Sequence, residues 1–208
     1  VSAKAMVEAA MGHVRILEDL NYQEIKISVK ASSLPLVLES YRKLSQLCDY
    51  PLHLGVTEAG TMLRGSIKSA IALGILLEEG IGDTIRVSLT ADPVKEIAVA
   101  KEILVSLGLK NGLSIISCPT CGRTRIDLIR LTEEVEKALA EYADIPLSVA
   151  VMGCAVNGPG EAREADFGIA GGNNEGLLFA KGEIIRKVPE NQLVNELVAM
   201  VRDYIGSM

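Results

Sequence analysis

The chain has few aromatic side chains, no excess of positive charge and no long apolar run. Only 3% of its 208 residues are aromatic and Trp is absent, so a surface that stacks on nucleic-acid bases is not expected. The 27 Asp and Glu residues outnumber the 21 Lys and Arg residues, which gives a net charge of −6 and no broad basic footprint for nucleic acid. No stretch approaches the roughly 20 consecutive apolar residues of a membrane span, and the start lacks the pattern of a signal peptide. We therefore expect a cytoplasmic protein that binds neither nucleic acid nor membrane.

Cysteine and histidine are also scarce. Four cysteines are too few for a disulfide scaffold in a chain of this length, and two of them form the motif Cys118-Pro-Thr-Cys121. Both histidines, His13 and His53, lie in the first half of the chain, away from that motif. Metal or redox chemistry at the cysteines is therefore the first hypothesis.

A strand followed by a helix recurs about every 30 residues in the first half of the chain. With 49% hydrophobic residues, the composition is that of a globular protein with a substantial core. Strands joined by helices indicate crossover units in a parallel sheet, and so an α/β fold. The predicted strands are residues 25–30, 52–57 and 84–89, and the helices are residues 2–20, 35–48, 62–78 and 93–107.

Polar residues gather where these three strands end, and in parallel sheets and barrels that edge hosts the ligand. They are Lys30 on the first strand, Thr57 and Glu58 on the second, and Arg86 and Ser88 on the third. The alternative is that such residues are helix caps and solvated loop charges. Their coincidence at one edge favours a binding site.

The pattern changes after Asn111-Gly112, where we place a boundary between domains 1–110 and 111–208. The second domain is predicted to contain strands over 113–117 and 147–152, a helix over 132–142 and a final helix over 190–205. Gly158-Pro159-Gly160 is interpreted as a turn, and the glycine-rich segment 167–176 follows it before the final helix.

Two strands of the second domain each run into a cysteine-bearing loop, one with Cys118 and Cys121 and the other with Cys154. A zinc site would need a fourth ligand, whereas a redox disulfide pair would leave Cys154 unexplained. Three thiolates around an iron–sulfur cluster leave one iron free for another ligand or a substrate. Glu161 is the nearest candidate for that ligand, although a loop glutamate is more often only a solvated charge. Cys48 is interpreted as a buried, inert thiol on the apolar face of a helix.

Three segments resemble the signature motifs of the 4-hydroxy-3-methylbut-2-enyl diphosphate synthase family, iron–sulfur enzymes of the non-mevalonate isoprenoid pathway. The similarity extends through residues 79–89 and covers essentially the whole chain. The motifs are Ser117-Cys-Pro-Thr-Cys-Gly-Arg123, Met152-Gly-Cys-Ala-Val-Asn-Gly-Pro-Gly-Glu-Ala162 and His53-Leu-Gly-Val-Thr-Glu-Ala-Gly60.

This resemblance implies a [4Fe-4S] cluster held by Cys118, Cys121, Cys154 and, unusually, Glu161. Carboxylate binds iron more weakly than thiolate, so that position can open to a substrate. The family's reaction is a two-electron reductive ring opening of 2-C-methyl-D-erythritol 2,4-cyclodiphosphate with loss of water. A ferredoxin or flavodoxin supplies the electrons, and the active site is shared across a homodimer.

The resemblance also assigns the residues at the strand ends. Lys30 and Arg86 are the expected cations for the diphosphate, with Thr57 and Ser88 as hydroxyl donors. The negative charge of Glu58 does not suit a diphosphate, so it is the candidate acid or base.

The family pattern has an eight-stranded barrel, of which this chain matches the last three strand–helix units, followed by the cluster domain. We therefore expect a piece of a longer polypeptide that is inactive alone. It begins at Val1 in a helical pattern without a capping residue, and its strands are expected to have apolar inner faces without an opposite wall.

Two functions from other classes stay open on the residues alone. One is a non-catalytic module in which the three cysteines hold a structural zinc. The other is an electron-transfer subunit, which would need four thiolates, and only Cys48 remains to supply the fourth.

Overall fold

The computed structural model of the chain describes residues 1–154, 160 and 162–207. These residues form two compact units, Val1–Lys110 and Asn111–Met208. Helices and strands alternate along both units, which confirms the predicted α/β class.

The first unit contains two short parallel strands and four helices. In the parallel pair, His53 lies opposite Thr84 and Gly55 lies opposite Arg86. The elements, in chain order, are α1 (Ala3–Asp19), α2 (Leu34–Leu44), β1 (His53–Gly55), α3 (Met62–Glu78), β2 (Thr84–Arg86) and α4 (Pro93–Ser106).

The strand predicted over residues 25–30 is reduced to an isolated parallel bridge between Ile27 and Leu52. A tyrosine hydroxyl is the reason. Tyr41 of α2 is fully buried, and its hydroxyl accepts a hydrogen bond from the Val29 N–H at 3.2 Å and donates one to the His53 carbonyl at 2.6 Å. The hydroxyl thus stands where the two strands would pair directly.

Alternate residues of the strand segments have opposite environments. Ile27, Val29, Leu54 and Val56 are buried in a core shared with the helices, as is Val87. The opposite face carries the polar set Lys26, Ser28, Lys30, His53, Thr57, Thr84, Arg86 and Ser88. The expectation of apolar inner faces is therefore wrong, because the helices take the apolar side of every strand.

The second unit is a five-stranded sheet of order β3-β4-β5-β6-β7, parallel from β3 to β5 and antiparallel from β5 to β7. Leu131 and Val135 of the first helix and Leu197 and Val201 of the second join the core on one face of the sheet. The elements are β3 (Leu113–Ser117), α5 (Leu128–Leu139), β4 (Leu147–Met152), β5 (Phe167–Gly171), β6 (Glu175–Ala180), β7 (Glu183–Pro189) and α6 (Leu193–Gly206).

Residues 167–176, for which the sequence showed only a richness in glycine, include β5 and the start of β6. Gly168 lies opposite Phe179, and a Cβ on Gly168 would come within 2.2 Å of the Phe179 ring. The glycine therefore makes room for an aromatic ring across the strand pair. The sequence did not predict these strands, because a glycine that serves packing looks the same in sequence as one that serves a turn.

Two helix starts also differ from prediction. Helix α5 begins at Leu128 rather than Thr132, because Asp127 caps it by accepting a hydrogen bond from the Arg130 N–H at 3.3 Å. Helix α1 does have a cap: the Ser2 hydroxyl accepts from the Ala5 N–H at 3.3 Å. In the described part of the chain, no helix has both the length and the apolar character needed to cross a bilayer.

The inserted tyrosine hydroxyl gives a stability prediction. Tyr41→Phe should lower the free energy of unfolding by about 1–3 kcal/mol, because it leaves the buried Val29 N–H without a partner and leaves the His53 carbonyl with only the Ser28 hydroxyl, at 2.9 Å. Tyr50→Phe is the matched control, since the Tyr50 hydroxyl bonds Glu18 at an exposed site. Urea unfolding of both variants is the measurement, and an equal loss in the two would contradict the buried role of Tyr41.

Candidate functional site

The polar face of the first unit is arranged in rows, because parallel strands in register place their side chains side by side. One row contains Ser28, His53 and Thr84, and the next toward the strand ends contains Lys30, Gly55 and Arg86. The predicted cations Lys30 and Arg86 therefore share a row, with only a glycine between them.

Lys30 and Arg86 lie close enough to affect each other. Partial burial lowers the pKa of Lys30, and the positive charges of Arg86 and Lys26 lower it further. Three cations facing one another favour a ligand with more than one negative charge, such as a diphosphate.

His53 is a site residue that was not predicted. Its Nδ1 lies 2.8 Å from the Thr84 hydroxyl. Partial burial, followed by the charges of Lys30, Lys26 and Arg86, lowers the pKa of His53 below 6.5. These effects favour the neutral imidazole. Strand alternation, which puts His53 on the same face as Thr57, is the signal that could have identified it.

Thr57 and Ser88 lie one row further toward the strand ends. The Thr57 N–H donates to the Ala31 carbonyl at 3.1 Å, which ties the end of β1 to the neighbouring segment. Ser88 is half-buried, whereas Thr57 is exposed. The structure thus brings the four predicted substrate-binding residues to the same face and the same end of the strands.

Glu58 has a left-handed backbone conformation, with a φ of 53°. This region is costly for residues other than glycine, and such strain is concentrated at functional sites. The Glu58 side chain is exposed directly after Thr57. The Glu58 carboxyl group therefore lies at the polar end of β1, on a backbone in an unfavourable left-handed conformation.

The cysteine-bearing loops of the second unit are in contact. Cys118 follows β3 directly, and its sulfur accepts a hydrogen bond from the Gly153 N–H at 3.2 Å. The Gly153 carbonyl in turn accepts from the Arg125 N–H at 2.9 Å. Gly153 is thus held on both sides by the loop that carries the first cysteine pair, and Cys154 is the next residue.

Gly153 also leaves room for the side chains around this contact. A Cβ at this position would lie 3.0 Å from both Cγ2 and Oγ1 of Thr124 and 3.3 Å from Leu128 Cδ2. Thr124 also accepts a hydrogen bond from the Cys121 N–H at 3.1 Å. A side chain at Gly153 would therefore press on the residue that closes the turn at Cys121.

The three cysteines differ in exposure and acidity. Cys121 is exposed, whereas Cys118 and Cys154 are half-buried, and all three are free thiols. The Arg123 N–H, with smaller contributions from the side chains of Arg123 and Thr124, lowers the pKa of the Cys121 thiol below 9.0. This loop therefore favours a thiolate, the form that binds metals.

The expected set of four ligands is only partly described. Across residues 1–154, 160 and 162–207, no group of three His, Cys, Asp or Glu side chains is close enough to hold a metal ion. Glu161 lies outside the described residues, as does the segment 155–159 of its motif. Parallel pairing of β3 and β4 does bring the ends that precede Cys118 and Cys154 to the same edge of the sheet.

Cys48 does not lie on a helix as predicted, because α2 ends at Leu44. It is half-buried beside the core of the first unit, and its thiol donates to the Leu44 carbonyl at 3.7 Å. Cys48 belongs to the first unit, whereas the other three cysteines belong to the second.

Comparison with known proteins places both units in one family. The GcpE TIM-barrel domain matches residues 1–101, and the GcpE protein C-terminal domain matches residues 114–203. The first match confirms the predicted fold, the last units of a TIM-type barrel followed by a second α/β domain.

Curated relatives carry one enzyme name, 4-hydroxy-3-methylbut-2-en-1-yl diphosphate synthase (flavodoxin). The relative from Geobacter sulfurreducens is 63% identical over 206 residues, which are 99% of this chain and 58% of the relative. The relative from Clostridium acetobutylicum is 62% identical over 199 residues, or 95% of this chain and 57% of the relative. A relative from Geobacillus kaustophilus is 58% identical over 197 residues.

The chain thus spans about 58% of the length of a curated relative that it matches. Within that span, two family domains follow each other in order and cover nearly every residue. The chain belongs to the GcpE family.

Proposed function

We propose that this chain is part of an enzyme that converts 2-C-methyl-D-erythritol 2,4-cyclodiphosphate to 4-hydroxy-3-methylbut-2-enyl diphosphate in isoprenoid biosynthesis. The reaction adds two electrons, opens the ring and releases water. The proposal rests on the combination of two features in one chain of the GcpE family. The first domain has a row of cations at the edge of its strands, and the second domain has free thiols at the edge of its sheet. Because the relatives are longer, the activity is proposed for the full-length polypeptide.

The first unit binds the cyclic diphosphate. Lys30 and Arg86 neutralise its charge, and the hydroxyls of Thr57 and Ser88 donate hydrogen bonds to phosphate oxygens. The pKa of Lys30 is lowered by partial burial and then by the charges of Arg86 and Lys26, and this supports the role, since a dianion would relieve the repulsion. The neutral imidazole of His53, directed by Thr84, adds a polar group without adding charge.

Glu58 is the acid–base group for the substrate hydroxyls. A carboxylate beside a diphosphate is repelled by it, so the strained backbone that holds Glu58 there needs a chemical reason. Proton transfer at a hydroxyl that leaves as water is such a reason.

The thiols of the second unit fit an iron–sulfur group. Cys118, Cys121 and Cys154 are unpaired, a backbone N–H points at the Cys118 sulfur, and the pKa of Cys121 is lowered. Soft thiolate donors with N–H hydrogen bonds are what iron–sulfur clusters use. We propose that these cysteines and Glu161 hold a [4Fe-4S] cluster, which supplies the electrons when bound.

The proposed electron donor is a flavodoxin, because the relatives' names specify it. The active site is proposed to be shared across a homodimer, as the family resemblance implies. The zinc module and the electron-transfer subunit would be favoured only if the metal analysis below failed to find iron and sulfide, or if turnover were absent.

Cluster ligation can be tested in the full-length polypeptide. Replacing Cys118, Cys121 or Cys154 by Ser should each abolish the cluster, because the thiolates share one site. Iron and sulfide analysis after anaerobic reconstitution is the measurement, with Cys48→Ser as the matched control that retains the cluster. A full iron complement in any of the three variants would refute that residue as a ligand.

The fourth ligand has a separate test. Glu161→Cys should keep the cluster but lose turnover, since a fixed thiolate closes the position that opens to substrate. Equal turnover in the variant and the parent would exclude this role.

Anion binding at the strand ends predicts that Arg86→Met weakens substrate binding by about 10- to 100-fold, the range for a hydrogen bond to a charged group. Arg15→Met is the matched control, because Arg15 is exposed on α1. Isothermal titration with the cyclic diphosphate distinguishes the two, and equal affinities would place Arg86 outside the site.

Two substitutions of Glu58 should separate its effect on turnover from its effect on folding stability. Glu58→Gln should lower kcat by about 100-fold or more with little change in affinity, because an amide cannot transfer a proton. Glu58→Gly should also lose turnover but raise the unfolding free energy by about 0.5–1 kcal/mol, since glycine adopts a positive φ without steric cost. Steady-state kinetics and urea unfolding check both, and a Gln variant with full kcat would exclude the acid–base role.

A further inference from the structure

We infer that Gly55 is a positioning residue: by lacking a side chain, it lets Lys30 lie across β1 beside Arg86, where the ammonium group meets the anion. The inference rests on the proposed function for the identity of that anion. The placement of Lys30 itself depends only on contacts within the first unit.

The space beside Gly55 is filled by the end of the Lys30 side chain. A Cβ on Gly55 would lie 2.9 Å from Lys30 Cε and 3.3 Å from Lys30 Nζ, and 2.9 Å from the Arg86 carbonyl oxygen. Real Cβ atoms essentially never come as close as the first and last of these distances. The Lys30 side chain therefore occupies the volume that any other residue at this position would take.

Backbone conformation does not explain the glycine. The glycines with positive φ in the described chain are Gly60, Gly80, Gly82, Gly108 and Gly182, and Gly55 is not among them. Gly55 lies within the regular parallel register of β1, opposite Arg86. An alanine could adopt this backbone conformation, so the constraint is one of space.

Electrostatics shows why Lys30 needs to be held. Partial burial is the largest cause of the lowered pKa of Lys30, and the like charges of Arg86 and Lys26 add to it. A lysine has several rotatable bonds and would relieve this repulsion by swinging into solvent. Because Gly55 has no side chain, the Lys30 side chain packs across β1 instead. Lys30 and Arg86 therefore stay within reach of one diphosphate.

The placement of Lys30 can be tested without ligand, in the full-length polypeptide. Gly55→Ala should displace the ammonium group and return the pKa of Lys30 toward its ordinary 10.5, measured by NMR titration of the lysine side chain. The control is Gly80→Ala, which strains a backbone with φ of 74° where a Cβ meets nothing. An unchanged Lys30 pKa in Gly55→Ala, or an equal rise in both variants, would overturn the inference.

A double-mutant cycle with inorganic pyrophosphate tests the consequence for binding. Gly55→Ala should weaken pyrophosphate binding about tenfold when Lys30 is present and have little effect in the Lys30→Met background. Equal weakening in both backgrounds would show that the alanine acts through the Arg86 backbone, and would overturn the positioning role.

The cycle also separates this inference from the proposed function. If Lys30→Met leaves pyrophosphate binding unchanged, the proposed anion site fails, while the NMR titration still decides whether Gly55 positions Lys30. If Gly55→Ala does not fold, adding Lys30→Ala should restore folding, provided that Cε and Nζ of Lys30, rather than the Arg86 carbonyl oxygen, obstruct the new Cβ. Failure of that rescue would overturn the inference.

Discussion

Parallel strand pairing is the constraint on which both parts of the candidate site depend. It brings the ends of β1 and β2 to one edge of the first unit, and those of β3 and β4 to one edge of the second. Residues distant in sequence, such as Lys30 and Arg86, are thereby placed in one row. The same geometry puts Cys118 in contact with the residue before Cys154.

At each of these two edges, a glycine makes room for a neighbouring polar side chain. Gly55 leaves the volume that Lys30 fills, and Gly153 leaves room for Thr124, whose hydroxyl accepts from the Cys121 N–H. Tyr41 contributes from the other side of the first unit by joining Val29 to His53 through its buried hydroxyl. Small residues and one inserted hydroxyl thus fix the positions of the charged groups and thiols.

The two units present contrasting chemistry. The first offers a cation-rich row in which partial burial, followed by the neighbouring positive charges, lowers the pKa of Lys30 and of His53, so the row suits a multiply charged anion. The second offers soft, unpaired thiols, one of which is acidified by its own loop. A reduction of a cyclic diphosphate needs both a site for the anion and a source of electrons, which is why family membership and local chemistry point to the same proposal.

The sequence by itself determined the α/β class and several elements to the residue, including α3, β3 and β4. Strong hydrophobic periodicity explains this success, because burial of one face decides such elements. The positions of Lys30, Thr57, Arg86 and Ser88 near the ends of the predicted strands also predicted a common edge for them.

Only the tertiary structure decided the rest, because the deciding contacts join residues far apart in the chain. The strand near Ile27 is interrupted by a hydroxyl from α2, and the glycine-rich segment becomes a strand because Phe179 packs over Gly168. The strain at Glu58 and the neutral state of His53 have no sequence signature, since both arise from backbone geometry and neighbouring charges. Sequence patterns show which residues are apolar and how they recur along the chain. The need for a glycine at position 55 arises only in the folded protein, where Lys30 and Arg86 lie beside it.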